Sequence, residues 1–264
     1  MNIIVCVKAV PDPGEICRLK IDPVTKTLLR CEVPLVINPL DKHALEAALE
    51  LKESSGARVS VISMGPPPAE AIIRECMALG ADRGILLCDR AFGGADAFAT
   101  AFTLARGIER AGPFDLVVCG MASSDGATEW VGPQVASFLG IPAVTMVQEF
   151  ESRGSDIWRV RAEWQEGYRR VEVRLPALLT VTRELNQPRA LSFSGILKAR
   201  KKTVESWDLG TLGVPAECLG SRGSPTIVSR METIEVRRNA ELLQGTMEEK
   251  AEQLVSRLAA IGII

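Results

Sequence analysis

The residues best placed to do chemistry lie in Asp115–Gln134, DLVVCGMASSDGATEWVGPQ. An apolar run, Leu116-Val117-Val118-Cys119, ends at Gly120. It is followed by Ser123, Ser124, Asp125, Gly126, Ala127 and Thr128 before Val131-Gly132-Pro133 opens a helical pattern. Backbone N–H groups and hydroxyls gathered at a helix start form a cradle for phosphate, so a nucleotide is the ligand this loop suits. Three other apolar runs end in the same manner: in Lys8-Ala9-Val10-Pro11, in Ser63-Met64-Gly65-Pro66, and in the glycine loop from Cys88 and Asp89 to Asp96 that opens a helix containing Thr100. Glycine-rich turns serve any α/β fold simply to reverse the chain. Four small-residue loops converging on one sheet edge nevertheless describe a nucleotide crevice better than a catalytic triad.

Other chemistries find little support. There is no G-x-x-x-x-G-K-[ST] and no well-placed G-x-G-x-x-G, so the P-loop and Rossmann mechanisms do not apply. Ser123 and Ser124 have no nearby His and no G-x-S-x-G is present, which argues against a hydrolase triad. The single His43 falls on a helical pattern, where a structural role is the commoner one. No group is marked as a proton-transfer catalyst, so any redox work must be carried by a bound cofactor.

The elements that would position these loops follow from periodicity. Asn2–Lys8, Arg58–Ser63, Gly84–Leu87, Leu116–Cys119, Ala143–Val147 and Leu178–Val181 read as strands, with helical spacing over Asp41–Glu53, Ala69–Leu79 and Asp96–Arg110 between them. Strands apolar on both faces and separated by helices predict a parallel sheet flanked by helices. Ile157–Trp164 and Tyr168–Arg174 alternate around the turn Gln165-Glu166-Gly167 and predict an antiparallel hairpin extension. Cys17–Val36 reads as a hairpin insertion with Asp22-Pro23 and Lys26 near its tip. Residues 203–245 are rich in Gly, Pro, Ser and charge and have no clear period, as expected of an arm reaching along a partner. A final helix, Thr246–Ala260, carries a thin apolar stripe of Met247, Ala251, Leu254 and Leu258. The expected organisation is therefore an α/β nucleotide-binding domain over 1–202 and a long C-terminal arm over 203–264.

Composition narrows the partners. A net charge of −2 and 5% aromatic residues give no reason to expect nucleic acid. No apolar run is long enough for membrane insertion. Seven scattered cysteines without a C-x-x-C, several inside apolar runs, suit a reducing cytoplasmic setting and no metal site. Two surface features stay open: Lys198–Lys202 as a solvated face or a docking surface, and Phe193 as an interface anchor or a staple for the helix expected over Ile196–Lys201.

The strings VKAVPD, INPLDKHALEAALELKE, VISMGPP, LLCDRAFGGADAFATA and SDGATEWVGPQ, with LNQPR and ILKARKK, resemble the electron transfer flavoprotein beta subunit, in order, over residues 1 to about 202. The resemblance implies a heterodimer with an alpha subunit carrying FAD and an adenine nucleotide in the beta-subunit crevice. In the respiratory type that nucleotide is AMP, a structural filler that leaves the beta chain a binding subunit. In the electron-bifurcating type it is a second FAD that accepts hydride from NADH and sends electrons to the alpha-subunit FAD and to ferredoxin or flavodoxin.

By resemblance of DRAFGGADAFAT to the bifurcating type, Asp89, Arg90, Ala91, Phe92, Ala95, Asp96 and Thr100 line the flavin or its phosphates. Ala9, Asn38, Asp41, Met64 and Gly65 surround the adenosine end, beside Ser63. The opening loop supplies Cys119, Gly120, Asp125, Gly126, Ala127, Thr128, Val131, Gly132 and Pro133. Phe193 stands where the family carries a hydrophobic anchor, commonly Leu, that docks acyl-CoA-type dehydrogenases. The family's loop usually has Asp at the position of Ala127 and Gln at that of Trp130, so NADH handling and flavin tuning are where this chain departs.

Overall fold

A computed structural model describes residues 1–18, 33–152, 156–229 and 240–264. The chain divides into two units, Met1–Ser229 and Arg230–Ile264. In the first unit, strands β1 (Asn2–Cys6), β2 (Ala9–Pro11) and β3 (Leu35–Ile37) precede α1 (Pro39–Ser55), β4 (Arg58–Met64), α2 (Glu70–Leu79), β5 (Arg83–Leu87), α3 (Ala97–Ala111), β6 (Leu116–Gly120) and α4 (Val131–Leu139). Then follow β7 (Ala143–Ser152), β8 (Ile157–Trp164), β9 (Gly167–Arg174), β10 (Ala177–Val181), α5 (Phe193–Ala199), β11 (Val204–Trp207) and α6 (Leu209–Leu212).

The main sheet has the order β11-β5-β4-β1-β6-β10-β7-β8-β9. The seven strands from β11 to β7 are parallel, and β8 and β9 extend the edge as an antiparallel hairpin. β2 and β3 form a separate antiparallel pair. The tip of the expected 17–36 insertion, with Asp22, Pro23 and Lys26, lies outside the described residues.

Side-chain alternation along β1 shows why both faces are covered. Ile3, Val5 and Val7 pack with Leu45 and Leu49 of α1 and Ile72 and Ile73 of α2. Ile4 and Cys6 pack with Leu104 and Ile108 of α3 and Val135 and Ala136 of α4. A strand buried on both sides has no solvent face to mark with polar residues, hence its continuous apolar run.

The sheet unit extends past residue 202. β11 pairs with β5 in parallel register from Val204↔Gly84 to Trp207↔Leu87. Trp207 and Leu219 are both buried in the α3/α4-side core, so residues 203–229 do not fit the description of an arm without a core. The reason is physical: β5 would otherwise be a bare sheet edge, and one strand with one large ring covers it.

The second unit contains α7 (Met247–Ala260), started by a reciprocal capping box between Thr246 and Glu249. Arg257 pairs with Glu241 at 2.6 Å. Met247, Leu254 and Val255 of α7 are exposed. Among the described residues no helix is long and apolar enough to cross a membrane.

Candidate functional site

The four strands whose ends looked prepared, β5, β4, β1 and β6, are consecutive neighbours in the sheet and all parallel. Their carboxyl-end loops therefore open on one edge. The chain leaves β1 towards β4 on one side and returns through α3 to β6 on the other, so strand order reverses between β1 and β6. Ligands in open α/β sheets bind at such a switch point.

Asp41, in the first turn of α1, staples that point. Its carboxylate accepts the backbone N–H of Lys8, just past β1, at 2.8 Å and that of Gly120, the last residue of β6, at 2.9 Å. Asn38 adds a second link: its side-chain amide donates to Ala122 O at 2.9 Å and its Oδ1 accepts from Ser124 N at 3.1 Å. Lys8 closes the network, with Nζ 2.6 Å from Asp125 Oδ1 and 3.2 Å from Ser123 Oγ. Asp41 is 5% exposed, and burial pushes its carboxyl up to about 6 despite hydrogen bonds from Asn38, Lys8 and Gly120 that pull the other way. Asn38, Asp41, Gly120 and Asp125 are thus brought together by hydrogen bonds. Lys8, which the sequence placed only at the start of the first strand-end loop, links that loop to Ser123 and Asp125.

The opening loop is held in an uncommon backbone shape. Ala127 and Glu129 have φ of 45° and 61°, the left-handed region that non-glycine residues enter at a cost. Trp130 follows, 64% exposed, and α4 begins without a side-chain cap. Gly132 is small for a reason: a Cβ there would meet Thr180 Cγ2 at 2.5 Å and Cys119 Sγ at 3.1 Å. The Cys119 thiol accordingly packs under α4, and burial raises its pKa. Relief of the left-handed strain gives a direct expectation for Ala127→Gly. Stability rises by about 0.5–1 kcal/mol, the ~1–2 kcal/mol of relief less the entropic cost of glycine. A melting temperature that falls or stays put contradicts it.

The glycine loop is tied down by its two carboxylates. Asp89 Oδ1 accepts Ala91 N at 2.9 Å and its Oδ2 accepts Leu209 N at 3.0 Å; these donors hold its pKa low. Asp96 caps α3 through Ala99 N at 3.0 Å and binds Thr226 through both backbone N–H and hydroxyl. Its pKa is lowered by Ala99 and Thr226 against the opposing effect of burial. Ser224 Oγ accepts Asp96 N at 2.8 Å. Asp89 and Asp96 therefore shape the loop, and segment 209–226 braces it from outside. Periodicity carried no signal for that brace, because caps and turns have none. Phe92 is buried in the core, whereas Arg90 is exposed and Ala91, Ala95 and Thr100 are half-buried.

At the remaining strand end, Met64 and Gly65 are half-buried and Ser63 is fully buried, its hydroxyl without a hydrogen-bond partner. Ala9 sits on β2 beside Ile37. His43 has a structural task, its Nδ1 lying 3.0 Å from both the backbone and side-chain oxygens of Asn186. Phe193 is 76% exposed and is the first residue of α5. It stands out from the surface and staples no helix.

Seven parallel strands covered by helices on both faces, with polar loops gathered at the switch point, define a doubly wound α/β protein. The Electron transfer flavoprotein domain family matches residues 25–212. The chain is 47% identical over 258 residues to the electron transfer flavoprotein subunit beta of Clostridium acetobutylicum, with 98% of each chain covered. It is 44% identical over 266 residues to the caffeyl-CoA reductase-Etf complex subunit CarD of Acetobacterium woodii, with 100% of each covered. Protein FixA of Bradyrhizobium diazoefficiens is 36% identical over 266 residues, which cover 98% of this chain and 91% of FixA. The chain belongs to the electron transfer flavoprotein family, on its beta-subunit branch.

Proposed function

We propose that this chain is the beta subunit of a heterodimeric electron transfer flavoprotein whose switch-point crevice holds FAD. It carries electrons between NADH, an acyl-CoA-type dehydrogenase and ferredoxin or flavodoxin by flavin-based bifurcation. The observation that carries this reading is the hydrogen-bonded network joining Lys8, Asn38, Asp41 and the 120–125 loop at the meeting of β1 and β6. The donors around it fit a nucleotide: backbone N–H groups at the uncapped start of α4, the Lys8 ammonium beside Asp125, and the hydroxyls of Ser123, Ser124 and Thr128.

Ala9, Asn38, Met64 and Gly65 border the adenosine end, and Asp41 acts by fixing the two strands between which it lies. The 89–96 and 125–133 loops offer main-chain donors to the phosphates and flavin. Bound there, FAD supplies acceptance of an electron pair from NADH and its release one electron at a time. The protein's own part is to bind, orient and exclude water.

The names of two relatives support an acyl-CoA-type partner: CarD belongs to a caffeyl-CoA reductase complex, and a 37% identical protein of Anaerotignum propionicum is an electron transfer subunit of acryloyl-CoA reductase. Phe193 is the docking anchor for that partner, and α7, with Met247, Leu254 and Val255 exposed, lies against the alpha subunit. Denaturing the purified heterodimer tests the cofactor directly. Two FAD per heterodimer are expected. One FAD with one AMP would overturn the FAD assignment in favour of a structural nucleotide.

A further inference from the structure

The segment that carries Phe193 is irregular from residue 182 to 192, yet it is fastened to α1 and α2 at several points. Asn186 is tied to His43, donating from Nδ2 to the His43 carbonyl at 3.0 Å. Three residues on, Arg189 grips Glu46 of α1. Its backbone N–H lies 2.9 Å from Oε2, its Nε 3.0 Å and 2.9 Å from the two oxygens, and its Nη2 2.8 Å from Oε1. Nη1 reaches Glu53 at 2.6 Å. Glu46 is 6% exposed, a carboxylate buried against its partner, and such charges are kept only when paired and hydrogen-bonded.

Beyond the clamp, α5 sits against α2 so closely that a Cβ on Gly195 would collide with the Ala78 carbonyl oxygen. Lys202 Nζ then closes the far end on Ala81 O at 2.7 Å. Between these fixings Leu191, Phe193, Ile196 and Leu197 stay exposed, with Lys198, Arg200 and Lys201 exposed beside them. The apolar knob is held in one shape before any partner arrives. A surface ordered in advance loses less conformational freedom on binding.

We propose that Arg189 is a positioning residue for electron delivery: through Glu46 it holds the Phe193 knob in the shape that an acidic-rimmed apolar socket on the dehydrogenase accepts. The proposal rests on the reading of Phe193 as the docking anchor. A lysine cannot replace Arg189, since its point charge cannot reproduce the fork on both carboxylate oxygens.

The test uses the holo-heterodimer reduced by NADH, with an acyl-CoA-type dehydrogenase and ferredoxin supplied together to take the two electrons, and dichlorophenolindophenol as the small acceptor in a separate assay. Arg189→Ala is expected to raise KM for the dehydrogenase about tenfold with kcat little changed, because the lost quantity is preorganisation. FAD content and turnover with the dye stay at the parent level. Amide exchange over residues 190–200 quickens about tenfold on the same grounds. Arg189→Lys shows an intermediate rise in KM, and decides the matter alone if the alanine variant does not fold. A KM unmoved in the Arg189 variants while Phe193→Ala raises it overturns the positioning role and leaves the docking anchor standing. A KM unmoved by Phe193→Ala as well overturns both. Loss of FAD or of dye turnover in Arg189→Lys would mark the clamp as a general structural brace and overturn the proposal.

Discussion

Gly120→Ala is expected to strip the heterodimer of the proposed beta-site nucleotide and to cost about 2–6 kcal/mol of stability. Gly120 ends β6, between β1 and β10, and its N–H donates to Asp41 Oδ1 at 2.9 Å. A Cβ would lie 2.6 Å from that oxygen, 2.7 Å from Leu40 Cβ and 2.8 Å from the Leu40 carbonyl carbon. Helix backbone cannot swing aside as the end of a flexible side chain can. The strand is held on both flanks, so α1 must shift and the Asp41 bridge must break. Overpacking of this kind costs roughly 1–3 kcal/mol, and orphaning a buried N–H adds about 1–3 kcal/mol. Calorimetry on the variant checks the loss of stability, where a fall of roughly 10 °C is expected for a chain of this size. Released nucleotide per heterodimer checks the loss of nucleotide. A variant that melts with the parent and keeps its nucleotide would show that the crevice tolerates a methyl group there.

The second large effect belongs to Asp41. Asp41→Ala leaves the N–H groups of Lys8 and Gly120 without their acceptor, at a cost of about 3 kcal/mol or more. Asp41→Asn keeps the shape but presents one acceptor oxygen where two were used, and it removes a titration. The carboxyl titrates near 3.8 in the unfolded chain and is raised to about 6 in the fold. The folded protein therefore holds the proton more tightly. This contribution to stability is fully present below pH 3.8 and is lost as pH rises through about 6. The loss comes to about 2–3 kcal/mol. Between pH 4 and 7 the parent should accordingly lose stability relative to Asp41→Asn. Urea unfolding of both proteins at several pH values measures the difference, and a parent that gains on the variant with rising pH refutes the assignment. At neutral pH, above that value, Asp41 is ionised and both of its oxygens accept, from the N–H groups of Lys8 and Gly120.

The strands and helices of the sheet were legible because each spans a run long enough for its period to show. The alternation over Ile157–Trp164 matches β8 to the residue, and the hairpin turn is Gln165-Glu166, with Gly167 already paired in β9. Shorter features were not legible. β11 is four residues with one buried ring, and no periodicity can be read from four residues. α5 begins at Phe193, three residues before the helical pattern, because Ser192 Oγ accepts Gly195 N and starts the helix there. At the site, the loops could be named from glycine and small polar residues, but not the roles within them. Asp89 and Asp96 looked like ligand contacts, yet their partners are Leu209 and Thr226, more than a hundred residues away. The pairing of Arg189 with Glu46 is likewise hidden in a sequence separation of 143.

The stapled switch point also bears on when in synthesis the chain can take up the nucleotide proposed above. Apart from the Asp41–Lys8 bond, which spans 33 residues, the bonds that shape it cross long loops: Asp41 to Gly120 spans 79 residues, Asn38 to Ser124 spans 86, and Lys8 to Asp125 spans 117. Closing such loops is slow and unrewarded until the last partner is in place. A nascent chain that has emerged only as far as β5 has three of the nine strands of the main sheet and no switch point. The site comes into being when β6 slots in beside β1, so capture of a nucleotide marks completion of the sheet's centre and cannot guide the steps before it.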